Sequence, residues 1–387
     1  MRAPADAGRR TLNALILLGV VNHSVLAGSR VAVSLDALAL GASTFTVGML
    51  MGLYALLPML LAVTAGRLCD FLGVRAPMLA GCALITVAAA VPWVARGLPA
   101  LFVSAVLLGV GFMIFQIATQ HATGVLGGPN ERARNFGLLS MGYSVSGFIG
   151  PLVAGLAIDH AGFSAAFAVF ALLPLIPLCV LATTRFSLPG PHPGAKAGGS
   201  GSVLDLLLHR DLRQVFLFNA LIAIAWDLHM IFVPIYGARI GLTASQIGAV
   251  LASFAAATFV IRFAIPWIAL RLSERQVLTA ALIVAGVVYL AFPFARSVSV
   301  LLALSFCLGL GVGTGQPMVM SLLHAHAPPG RVGEATGVRM SLVQSMAVAV
   351  PLVFGAVGST IGVGPVFWFV GAGLTLSGAL SLRTRPR

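Results

Sequence analysis

Two ionisable residues stand deep inside long apolar stretches of this chain: Arg30, in the run 12–34, and Asp227, in the run 213–236. Near a bilayer centre each alone costs about 2.5–3.5 kcal/mol on insertion scales, so keeping both calls for a pair or a function. An acid and a cation placed this way suit one chemistry. The carboxylate takes a proton and releases its cation, which links proton entry to a change of shape. His23 lies seven residues before Arg30 on the same helical face and is the secondary protonatable candidate. His229 points about 160° from Asp227 at about 100° per residue and is set aside. The competing reading is a static pair that holds two elements together.

The elements that must position these groups are membrane helices. Of 387 residues, 59% are apolar and 9% charged, against roughly a quarter charged in soluble domains. Runs of about 20 apolar residues predict spans at 12–34, 45–65, 77–95, 99–123, 136–158, 163–184, 213–236, 244–265, 275–294, 298–322, 335–357 and 363–382. Backbone groups in hydrocarbon must pair internally, and the alternation of a barrel strand is missing, so the fold class is all-α. The net charge of +13 does not point to nucleic acid, because the basic residues follow the loops. Arg9, Arg10, Arg67, Arg75, Arg132, Arg134, Arg185, Lys196, Arg271, Arg275 and Arg331 gather on one side, with Arg96, Arg239 and Arg296 on the other. The positive-inside rule then places both termini in the cytoplasm. The first span reads as a retained helix rather than a cleaved signal, since it holds Asn22 and His23 and stays apolar past Ala27. Cys69, Cys82, Cys179 and Cys307 read as inert small apolar residues. Nearly all basic residues are Arg, and Ala and Gly abound, a composition that suggests a high-GC bacterial source and hence a cytoplasmic (inner) membrane.

A shift of 200 residues brings the chain onto itself. Gly41, Gly48, Arg75, Gly109, Gly111, Gln116, Pro151 and Gly155 recur as Gly241, Gly248, Arg275, Gly309, Gly311, Gln316, Pro351 and Gly355. Six spans fill each repeat, so the expected organisation is a six-helix bundle over 1–184, a cytoplasmic linker with a short interfacial helix over 185–212, and a second bundle over 213–387. The same shift equates Asp227 with position 27, three residues from Arg30, or roughly 4.5 Å along a helix axis. The two charges therefore sit at compatible depths.

Two further patterns carry function. After span 2 comes Gly66-x-x-x-Asp70-x-x-Gly73-x-Arg75, a tight polar return in which Gly73 permits a left-handed turn, Asp70 accepts from helix N-terminal amides and Arg75 anchors at headgroups. Span 5 carries Gly147, Gly150, Pro151 and Gly155, a flat strip for close helix packing with a proline that permits a bend; generic packing is the bland alternative. The first pattern resembles the signature loop of the major facilitator superfamily of secondary transporters, and the second resembles the span-5 motif of its antiporters. The resemblance implies twelve helices as two bundles related by pseudo-two-fold symmetry, and a loop that latches the halves on the cytoplasmic side. It further implies a central cavity lined by spans 1, 4, 7 and 10, with Asn22, Gln116, Gln120, Asn219, Trp226 and Gln316 as candidate substrate contacts. Ala105 stands where the drug-efflux branch holds an Arg.

The expectation is thus a monomeric transporter that exports a small molecule by alternating access in exchange for protons. It has the lipid bilayer as its solvent and uses no cofactor or metal. The alternatives are an importer or uniporter of a sugar or amino acid, and a receptor or assembly protein on the same fold. An enzyme is not expected, because the ten acids and eight histidines form no Asp-rich prenyl-transfer site, no paired metal or haem ligands and no activated nucleophile.

Overall fold

The computed structural model describes residues 3–126, 132–184, 188, 190, 203–268, 270–326 and 332–383. These residues are helical almost throughout. In chain order the helices are α1 (Ala3–Ala39), α2 (Thr44–Leu72), α3 (Arg75–Val94), α4 (Leu98–Val125), α5 (Arg132–Leu172), α6 (Leu175–Thr183) and α7 (Val203–Leu208). There follow α8 (Arg210–Arg239), α9 (Ala244–Ile268), α10 (Glu274–Ala291), α11 (Val298–Val312), α12 (Gly315–His326), α13 (Val332–Thr360) and α14 (Val363–Arg383).

Eleven stretches are long and apolar enough to span a bilayer, and one of them, Asn135–Thr183, runs to 49 residues. That stretch is two spans. Gly162, at φ 79° and ψ 174°, breaks α5 where the expected spans 5 and 6 meet, so the chain has twelve spans. The short helix expected before span 7 is α7; most of the linker preceding it lies outside the described residues.

Packing divides the chain into two units. Unit 1 takes the described residues of 1–42, 53–196 and 243–248, and unit 2 those of 43–52, 197–242 and 249–387. The start of α2 is therefore grouped with unit 2 and the start of α9 with unit 1, a departure from the two sequence halves. Neighbour relations repeat: α1 packs on α5 as α8 packs on α13, α3 on α4 as α10 on α11, and α3 on α6 as α10 on α14.

The residues shared at the 200-residue shift sit where backbones touch. A Cβ on Gly109 would lie 2.3 Å from the Tyr54 carbonyl oxygen, and one on Gly309 would lie 2.4 Å from that of Phe254, its partner also shifted by 200. Any larger residue at either glycine would push two helices apart. The retained glycines thus mark contact points of a duplicated bundle.

The charged return after span 2 differs from expectation. α2 continues to Leu72, which places Gly66 inside the helix, and only Gly73 (φ 73°) and Val74 form the turn. The N-cap position of α3 is Val74, whose side chain offers no cap, and the Asp70 side chain lies outside the described residues. Arg75 is not a headgroup anchor. Its Nη2 donates to the carbonyls of Leu181, Ala182 and Thr184 at 2.6, 3.4 and 3.1 Å, so a cation closes the carbonyl end of α6 where the helix dipole is negative. Arg275 repeats the contact more weakly, with Nη2 donating to Ser381 at 3.4 Å.

Candidate functional site

Unit 1 concentrates its polar groups where α1, α4 and α5 meet. His23 Nδ1 lies 2.6 Å from Ser146 Oγ, and the Ser146 hydroxyl donates to the Tyr143 carbonyl at 2.9 Å. The direction of the His23–Ser146 hydrogen bond follows the tautomer of the imidazole. The imidazole stacks on Tyr143 at 4.7 Å and 26° and tilts against Phe112 at 5.4 Å. Gln116 on α4 faces the Tyr143 hydroxyl. Glycines bring α1 this close to α5: a Cβ on Gly150 would lie 2.5 Å from the Ser24 carbonyl oxygen. The structure therefore gathers His23 and Gln116 into one cluster and adds Tyr143 and Ser146, which sequence reasoning missed.

Asn22 belongs elsewhere. Fully buried, it donates Nδ2–H to Cys82 Sγ at 3.2 Å, so it is a core contact to α3 rather than an exposed substrate contact, and Cys82 is a hydrogen-bond acceptor rather than an inert filler. Gln120 is half-buried on α4, and Gln316 is exposed at the start of α12.

Arg30 lies near the far end of α1 with its guanidinium carbon 5.7 Å from the Tyr54 ring centre. Its Nε is buried and has no acceptor among the described residues. An aromatic face steadies a desolvated guanidinium. Asp227, in unit 2, is buried at 8% exposure in the middle of α8. Tyr289 on α10 donates its hydroxyl to the Ala225 carbonyl and lies within electrostatic reach of Asp227. Trp226 meets Phe254 edge-on at 4.9 Å, and the fully buried His229 stacks on the same ring at 4.5 Å. Neither nitrogen of His229 has a hydrogen-bond partner among the described residues.

Arg339, near the start of α13, turns inward: it is 6% exposed and donates Nη1–H to Asn219 Oδ1 on α8 at 3.3 Å. The signal available beforehand was the depth of Asn219 on α8.

The span-5 strip uses two faces. Gly150 meets α1, while Pro151 and Gly155 meet the first turns of α9: a Cβ on Gly155 would lie 2.4 Å from the Ala244 carbonyl oxygen, and one on Gly248 would lie 2.4 Å from that of Pro151. Gly147 is half-buried. One turn beyond, Asp159 accepts from the backbone N–H of Ala244 and Ser245 at 3.0 and 2.8 Å. Thr243 Oγ1 takes the next amide, of Gln246, at 3.3 Å. Three orphan amides at the start of α9 are thereby satisfied, two of them by a carboxylate at the positive end of the dipole.

Comparison with solved structures agrees with this architecture. The chain is similar to a POT family transporter in complex with a thioalcohol-conjugated peptide, with a TM-score of 0.81 and 15% identity over 96% of this chain and 95% of that one. It is similar to a POT family transporter in complex with 5-aminolevulinic acid at the same score, identity and coverage. It is likewise similar to a peptide transporter POT in complex with sulfate, with a TM-score of 0.78 and 17% identity over 97% and 94%. At these identities the likeness speaks for the fold. The family profile covers nearly the whole length, matching residues 15–216 and again 215–387, and the chain therefore belongs to the Major Facilitator Superfamily of membrane transporters.

Proposed function

We propose that the protein is a proton-coupled secondary transporter that exports a small molecule across a bacterial cytoplasmic membrane, working as a monomer with both chain ends in the cytoplasm. Asp227 is the proton acceptor, Arg30 its charge partner and His23 a second titratable group. The observation that carries coupling is the placement of Asp227. It is 17 residues from the start of α8 and 12 from its end, and it is 8% exposed. An intramembrane acid that is buried there is functional by default. Protonation removes the carboxylate charge and lowers the cost of rearranging the helices around it.

Export is supported by the resemblance of the span-5 strip to the antiporter motif, whose Pro151 and Gly155 lie against the start of α9. In unit 1 the side chains of His23, Gln116 and Tyr143 offer hydrogen-bonding and aromatic groups to a cargo, and in unit 2 that of Trp226 offers an aromatic face. A second reading is proton-driven uptake of short peptides, which the resemblance to solved peptide transporters favours. One experiment separates them. Cells expressing the protein and cells lacking it are screened for growth inhibition across many compounds, and hits are followed in inverted vesicles energised by a proton gradient. Export predicts resistance and gradient-driven accumulation in the vesicles. Sensitisation to toxic dipeptides, with uptake collapsed by a protonophore, supports the second reading instead.

A further inference from the structure

The buried face between α8 and α13 holds a cation without an anion. Arg339 gives Nη1–H to the Asn219 carbonyl and Nη2–H to Met340 Sδ at 2.9 Å, while its Nε–H is buried with no acceptor. Asn219, also 6% exposed, has its carbonyl occupied by Arg339 and its Nδ2 group buried with no acceptor. Two hydrogen-bonded side chains, each more than nine-tenths buried, thus each keep an N–H donor with no acceptor among the described residues. No acidic side chain among the described residues pairs with Arg339. A guanidinium does not shed its proton, and neutral acceptors alone leave much of its desolvation cost uncompensated.

The repeat shows that the polar pair is not needed to join these helices. Positions 219 and 339 correspond to Gly19 and Leu139 in unit 1, where a Cβ on Gly19 would lie 3.9 Å from Leu139 Cδ1 in an ordinary apolar contact. The same helix pair therefore closes without charge in one unit and with an unbalanced charge in the other. An anion from outside the chain would supply the charge that no acidic side chain among the described residues provides. A planar fork of N–H groups beside an amide matches two oxygens of a carboxylate or phosphate.

We propose that Arg339 and Asn219 form an oxyanion-binding subsite in unit 2, taking the carboxylate or phosphate group of a small solute or of a lipid headgroup. The site is independent of which residue carries the proton and of the direction of transport.

The test is thermal unfolding of the purified full-length protein, detergent-washed of lipid, in chloride, succinate and inorganic phosphate at matched ionic strength, and with dioctanoyl phosphatidylglycerol. At least one of the three oxyanions should raise the midpoint above chloride. R339Q should abolish that increment without lowering the midpoint in chloride, because it also removes the unbalanced charge. N219A should weaken the apparent affinity about tenfold, the scale of one hydrogen bond to a charged group. A response to phosphatidylglycerol alone assigns the group to lipid, and a response to succinate or phosphate assigns it to a solute. Should R339Q not fold, R339K and N219A carry the test: loss of the increment in N219A supports the site. The proposal is overturned if no oxyanion shifts the wild-type midpoint, or if the shift survives intact in R339Q or in N219A.

Discussion

The seam between α5 and the start of α9 and the seam between α13 and the start of α2 are copies of one another, and they differ in charge. In both, a glycine lies against a proline carbonyl: Gly248 against Pro151 and Gly48 against Pro351, with Cβ positions 2.4 and 2.3 Å from the oxygen. The first adds Asp159 across two amides of α9. The second has Ser359 at the equivalent place, its hydroxyl turned to the Ala356 carbonyl, and Arg239 donating to Thr44 Oγ1 at 2.8 Å. Close approach is thus a property of the duplicated bundle, whereas the carboxylate cap belongs to one copy. Backbone contact sets where helices meet, and side-chain charge sets how firmly each meeting is held.

The largest effect should come from removing the shared feature. Gly248→Leu and Gly48→Leu each force a side chain into a carbonyl and should cost about 3 kcal/mol or more, the upper range of overpacking, read as lost folded yield and midpoint. Tolerance of either change would show that the seam yields, and the comparison would fail. Next comes the unshared feature. Asp159→Asn keeps the shape and removes the charge, so about 1 kcal/mol should be lost after solvent screening. Hydrogen exchange at the amides of Ala244 and Ser245 should rise while that of Thr44 and Phe45 stays constant. Equal changes at both seams would contradict the asymmetry.

The inner clamps offer a finer comparison. Arg75 donates to three carbonyls, the shortest at 2.6 Å, and Arg275 donates to that of Ser381 at 3.4 Å, so Arg75→Ala should cost about 1 kcal/mol and Arg275→Ala less. Midpoints in the reverse order would show that packing of the arginine stems outweighs their hydrogen bonds.

Much of this was legible beforehand. Apolar run lengths predicted the spans because hydrocarbon leaves the backbone no alternative to helix, and the 200-residue register was visible because contact glycines and prolines tolerate no replacement. The inward turn of Arg339 is not legible in the sequence, because depth along a helix follows from counting while direction around it depends on the neighbour it packs against. Asp159 was passed over for a related reason: its partners, the amides of Ala244 and Ser245, lie more than 80 residues away, and no local pattern announces a cap from another helix. Asn22 looked like a cavity residue until Cys82 on α3 was seen to receive its N–H.

The central claim is that Asp227 carries the proton. It is tested by transport in proteoliposomes under imposed proton gradients, measured across a pH series for wild type, Asp227→Asn and His23→Gln, using a compound identified by the growth screen. The account predicts that Asp227→Asn abolishes gradient-driven accumulation and flattens the pH dependence while leaving exchange of the compound down its own gradient, and that His23→Gln keeps gradient-driven accumulation. An Asp227→Asn protein that still accumulates the compound with the wild-type pH profile would contradict it.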